Sequence, residues 1–232
     1  MTAPLVLIPG MMCDARLFGP QIAALSGTAA LHLAPISAHD TVQALAAEVL
    51  ANAPPRFALA GLSMGGIVAM EVLRQAPERV ERIALLDTNP LAERVEVKAR
   101  RGPQIAAARA GRLAEVMRDE MKPNYLAEGP DKRAILDLCM QMALDLGPDV
   151  FIIQSKALMD RPDQTETLLS ARIPALVLCG RGDLLCPVER HELMAGLIPG
   201  AVLHIVENAG HLPTLEQPET TNAALRRWLE AT

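Results

Sequence analysis

The feature that most constrains this chain is the stretch FALAGLSMGGIVAMEVL, beginning at Phe57. An apolar run turns sharply at a serine held between glycines and then resumes at helical spacing. The segments around it repeat the same alternation. PLVLIPG reads as a buried strand closed by Pro9-Gly10, and ALHLAP near Leu31 as a second strand. Asp40 or Thr41 caps the helix TVQALAAEVLANA. RFALAGL is a third strand, MGGIVAMEVLRQA a helix ending before Pro77, and VERIALLDTN a fourth strand. Strands alternating with helices imply an α/β fold: a mostly parallel sheet with helices on both faces.

After Pro90 the alternation stops. Residues 91–170 show helical periods only, punctuated by Gly-Pro at 102–103, 129–130 and 147–148. Strand patterns return in IPALVLCG (173–180) and AVLHIVENAG (201–210), with the helix PVERHELMAGL between them and PETTNAALRRWLEA as the last helix. The expected organisation is a core of residues 1–90 and 171–232 interrupted by a helical cap at 91–170.

Composition narrows the classes of function. A chain of 232 residues suits one domain with an insertion. It is 50% hydrophobic and 21% charged, as a soluble globular protein is. A net charge of −5 argues against nucleic acid and anionic membranes as partners. No apolar stretch reaches the roughly 20 residues of a membrane span. MTAPLVLIPG lacks a basic segment ahead of its short apolar run, so no signal peptide is expected, and the cytoplasm is the expected compartment. Cys13, Cys139, Cys179 and Cys186 form no CxxC pair and no zinc spacing, and read as reduced thiols.

The turn itself is Gly61-Leu62-Ser63-Met64-Gly65, a G-x-S-x-G pattern between strand and helix. A nucleophile on so tight a turn takes strained dihedrals, and the flanking glycines leave room for it. The hydroxyl then stands at a helix N-terminus, where the Met64 amide can stabilise a developing oxyanion. The plainer reading is a serine helix cap.

A hydroxyl needs a base. Of the five histidines, His32 and His204 fall in strands and read as structural, and His191 falls in a polar helix and reads as solvated. His39, in a loop after the second strand, is the rival to His211, which follows the last strand in ENAGHLPTLEQP. That loop returns to the carboxyl edge of the sheet, so His211 is the expected base. Asp183, in the loop of LVLCGRGDLLCP, is the expected group that orients the imidazole, with Asp87 as the alternative acid.

Taken together, the PG loop, GLSMGG, GRGD and AGHLP, in this order, resemble the α/β-hydrolase superfamily over nearly the whole chain, and in particular its small bacterial esterase-like members with a helical cap. The resemblance implies that the loop after the first strand supplies a second oxyanion amide. Members commonly carry His-Gly there. Here the pair is Pro9-Gly10, which makes Met11 the matching donor. The chain starts almost at that strand, so the first strands of the larger sheets are expected to be missing.

The expected chemistry is hydrolysis of a carboxylic ester or related acyl compound by Ser63, His211 and Asp183, with no cofactor and no metal. Rival readings on the same residues are a thioesterase or acyltransferase, a carbon–carbon bond hydrolase, a cofactor-free perhydrolase, and a binding module without catalysis. The expected partner is a small acyl or ester substrate, and the sequence does not fix the oligomeric state. Gly10, Met12, Asn89 and Met140 are expected to line the pocket. The methionines of the helical segment (Met117, Met121, Met140, Met142 and Met159) offer a pliable pocket or ordinary core packing. Arg94, Lys98 and Arg101 share a helix face that reads as solvated, the alternative being attraction of a carboxylate or phosphate.

Overall fold

The computed structural model describes residues 3–231; Met1, Thr2 and Thr232 of the expected core lie outside the described residues. Six strands form one sheet: β1 (Leu5–Ile8), β2 (Leu31–Leu33), β3 (Phe57–Leu62), β4 (Val80–Leu86), β5 (Ala175–Gly180) and β6 (Val202–Val206). Their order is β2-β1-β3-β4-β5-β6, and every pair is parallel. The helices that cross between strands are α1 (Gly19–Leu25), α2 (Val42–Asn52), α3 (Met64–Gln75) and α8 (Val188–Leu197), followed at the end by α9 (Pro213–Glu216) and α10 (Pro218–Glu230). Thr41 caps α2, its hydroxyl accepting from the Ala44 amide at 3.2 Å.

The central strands are apolar because both faces are covered, apart from Glu81 and Arg82 at the start of β4. In β1, Val6 and Ile8 join one apolar cluster, and Leu5 and Leu7 the other. β4 repeats the division with Ile83 and Leu85 against Ala84 and Leu86. Each such Leu, Ile or Val contributes roughly 1.5–3 kcal/mol by leaving water.

Strand order decides where a site can form. The chain runs from β1 outward to β2, then crosses back to β3 on the other side of β1. The loops leaving β1 and β3 therefore diverge and open a crevice at their carboxyl ends. Met11 leaves β1 there and Ser63 leaves β3.

Between β4 and β5 lies a helical segment: α4 (Val95–Arg109), α5 (Leu113–Glu115), α6 (Lys132–Met159) and α7 (Thr165–Ser170), with a π-helical stretch at Val116–Met121 and a 3-10 turn at Lys122–Asn124. One of the Gly-Pro pairs differs from its reading as a break: Gly102-Pro103 sits within α4. Gly147-Pro148 does interrupt α6, Gly147 leaving the helical conformation at φ +80° and ψ 176°, so that two helical stretches meet there at a kink. Proline removes one helical N–H, and the packed neighbours hold the helix on either side.

Candidate active site

Ser63 stands between β3 and α3 with φ +55° and ψ −117°, a conformation that a non-glycine residue adopts only when its surroundings dictate it. The surroundings are close backbone. A β-carbon on Gly65 would come within 2.1 Å of the Ile8 carbonyl oxygen, and one on Gly61 within 2.2 Å of the Gly65 oxygen. Both positions thus need glycine for space, so that the turn can press against the end of β1. Thr88 fixes it from the other side, its hydroxyl donating to the Ser63 carbonyl at 2.7 Å.

His211 is buried, and its Nε2 lies 2.9 Å from the Ser63 hydroxyl oxygen. Its Nδ1 lies 2.8 Å from Oδ2 of Asp183. The other carboxylate oxygen of Asp183 accepts from the amides of Leu185 (2.8 Å) and Cys186 (3.0 Å). Burial opposes the charge on Asp183, but the facing imidazole and these hydrogen bonds outweigh it and hold its pKa below the ordinary value.

Asp87, the alternative acid, directly follows β4 and is fully buried. Its Oδ1 accepts from the Gly180 amide at 2.9 Å, and it makes no contact with His211 given by the hydrogen bonds of either. Burial and the nearby Asp183 charge raise its pKa well above the ordinary carboxylate value, which favours its neutral form. His39 lies away from the site, 3.8 Å from Glu48.

Met11 and Met64 line the cavity, and neither backbone N–H has a hydrogen-bond partner among the described residues. The loop they belong to is braced. Gly10–Cys13 is a tight turn with the Cys13 amide donating to the Gly10 carbonyl at 3.2 Å, and Met12 sits at φ +56°. The Met12 amide donates to Oε1 of Gln154 on α6 at 2.8 Å, while Nε2 of Gln154 donates to the Ile36 carbonyl at 2.9 Å.

The cavity measures about 360 Å³. Of the four residues expected in a pocket, Gly10 and Asn89 line this cavity and Met12 and Met140 do not. Met12 is buried in the core because its amide is turned toward Gln154, and Met140 packs against the same apolar cluster. Of the other methionines in the helical segment, Met117 and Met142 are core residues, and Met121 reaches the cavity.

Two sequence expectations need correction. His191 is buried rather than solvated: its Nε2 accepts from the Thr88 amide at 3.0 Å, and burial pushes its pKa down to about 4. The Arg94–Lys98–Arg101 face is solvated only in part. Arg94 and Lys98 are exposed, Lys98 pairing with Asp160 at the surface at 2.7 Å, whereas Arg101 is buried against Glu93. Helical spacing shows which residues share a face and not what covers it.

Sequence reading missed Glu216. Its Oε1 accepts from the amides of Ala127 and Gly210, and its Oε2 from Leu212, so one carboxylate stitches the His211 loop to the helical segment. The carbonyl of Tyr125 adds a bond from the His211 amide at 2.6 Å. No short-range pattern announces such a residue. Asp183, Cys186 and His211 offer ligand atoms within 4.8 Å of one another. The imidazole and carboxylate already engage each other, however, and burial keeps the Cys186 thiol protonated, a poor set for a cation.

Known proteins share this arrangement of chain. The chain is 27% identical to the pimeloyl-[acyl-carrier protein] methyl ester esterase of Aromatoleum aromaticum over 198 residues, 77% of this chain and 76% of that protein. It superimposes on a thermophilic esterase from Thermogutta terrifontis with a TM-score of 0.89 and 28% identity, covering 98% of this chain and 89% of the other. The enol-lactonase of Burkholderia xenovorans shares the fold at a TM-score of 0.87 and 22% identity, over 99% and 92% of the two chains. The family model described as "Alpha/beta hydrolase family" matches residues 5–224. From its first strand into its last helix, then, this chain belongs to the alpha/beta hydrolase family.

Proposed function

We propose that the protein cleaves carboxylic esters through an acyl-enzyme on Ser63, with the helical segment 91–170 acting as a cap over the site. The observation that carries this reading is the continuous chain of hydrogen bonds from Ser63 through His211 to Asp183, at 2.9 and 2.8 Å, opening on a cavity. Names of relatives on the same family pattern, a methyl ester esterase and a thermophilic esterase, support ester chemistry.

The steps follow from the geometry. Nε2 of His211 takes the Ser63 proton as the oxygen attacks the acyl carbon, while Nδ1–H stays donated to Asp183. The carboxylate holds the tautomer and stabilises the imidazolium that forms. The Met11 and Met64 amides receive the oxyanion, a contribution worth roughly 10²–10³ in rate per donor. His211 returns the proton to the leaving alcohol and then activates water to release the acid. Every proton moves between protein groups, substrate and water, so this scheme calls on no cofactor.

The test is turnover of p-nitrophenyl butyrate by the wild type beside Ser63→Ala and His211→Ala. Each variant should lose about 10³-fold or more in kcat. Activity surviving in Ser63→Ala would place the chemistry elsewhere.

A further inference from the structure

Resting on the ester-cleaving reading, we propose that the cavity contains an anion subsite made by Arg101 and Arg161, and that the substrate carries a free carboxylate apart from the bond that is cleaved. Four arginines line this cavity (Arg94, Arg100, Arg101 and Arg161) against two glutamates, Glu93 and Glu120, in a protein whose net charge is −5. The positive charge is gathered where the substrate goes.

Arg101 and Arg161 matter most because they are desolvated. Their side chains and that of Glu93 are each less than a tenth exposed. Nε of Arg101 donates to one oxygen of Glu93 and Nη1 of Arg161 to the other, the latter at 2.8 Å. Nε of Arg161 donates to the Leu91 carbonyl at 2.9 Å, and Nη1 of Arg101 meets the Met11 sulfur at 3.9 Å. One carboxylate thus serves two guanidiniums. The Nη2 groups of both have no hydrogen-bond partner among the described residues. A bridge that only tied the start of the helical segment to its later helices would need a single cation. The second leaves an unbalanced positive charge in a site of low dielectric, where burial already disfavours the charge on Arg161. A bound carboxylate would restore neutrality and fill the spare donors in the fork geometry that suits it.

Position supports this assignment. Arg101 touches the side chain of Met11, and the neighbouring Gly10 would place a β-carbon 3.4 Å from that of Ser63. The subsite therefore lies about one side chain from the reacting serine, and a short spacer suffices between the two substrate groups.

The experiment compares charged and neutral esters. Mono-p-nitrophenyl glutarate is set against p-nitrophenyl butyrate to place the carboxylate on the acyl side, and 4-acetoxybenzoate against its methyl ester to place it on the alcohol side. In one pair the charged ester should be favoured in kcat/KM by roughly tenfold to a hundredfold, and that ratio should collapse toward one in Arg101→Gln. Because the ratio is taken within each protein, partial misfolding of the variant cancels. Glutarate binding to Ser63→Ala is measured by calorimetry in parallel, with heat expected there and none in the Ser63→Ala, Arg101→Gln double variant. Neutral esters turned over without preference, and no glutarate binding, would overturn the subsite while leaving ester cleavage standing. Glutarate bound by a protein that cleaves no ester would keep the subsite and sink the ester reading.

Discussion

At the scale of residues, several buried titratable groups surround Ser63, His211 and Asp183, and His191 gives the cleanest consequence. Its pKa of about 4 in the folded protein lies below the 6.5 of an exposed histidine. The unfolded chain therefore takes up the proton first as the pH falls, and stability is lost between about pH 6.5 and pH 4. Protonation would also set an N–H against the Thr88 amide it now accepts from. Lowering the pH from 7.5 to 4.5 should cost the wild type roughly 2–3 kcal/mol more than it costs His191→Gln. Urea unfolding of both proteins at the two pH values measures this, and equal losses would show that the histidine does not carry the effect. Asp183, whose charge is held in the fold, adds acid sensitivity at lower pH that both proteins share.

At the scale of elements, the site depends on a loop held from outside itself. The turn after β1 places Met12 at positive φ, a strained choice kept by the hydrogen bond from its amide to Gln154 on α6. Replacing Gln154 by Leu leaves that amide unpaired and frees the Met11 amide to move. The expected result is a fall of about tenfold in kcat on p-nitrophenyl butyrate, less than the loss of an oxyanion donor itself. A variant with lowered melting temperature but unchanged kcat would make Gln154 a staple and nothing more. The same element carries the kink at Gly147, where non-helical dihedrals separate two helical stretches, as the Gly-Pro pair in the sequence suggests.

At the scale of the whole molecule, the helical segment and the sheet share their cores. Ala108, Leu113, Met117, Phe151 and Leu158 join the cluster on one face, and Tyr125, Leu126, Ile135, Cys139 and Met142 the cluster on the other. A segment that buries its apolar residues in both halves of the core has little to hold it up alone. Calorimetry should show one transition with calorimetric and van't Hoff enthalpies in agreement. Two resolved transitions would mean that residues 91–170 fold as a unit of their own, as their place between β4 and β5 first suggests.

The sequence by itself determined the strands, their alternation with helices, and the residues Ser63, Asp183 and His211 that the fold gathers. Each of these is written locally: an apolar run, a glycine pair that makes room, a loop at the end of a strand. Only the tertiary structure decided what holds them. The partner of Met12 is 142 residues away, that of His191 103, that of Ala127 89, and that of Arg161 68. A hydrogen bond or ion pair across such a span leaves no period and no spacing behind it. The same gap explains why Arg101 reads as a solvated residue and is found beside Glu93 in the cavity. Periodicity assigns a side chain to a face, and only packing determines whether water, core or substrate meets it.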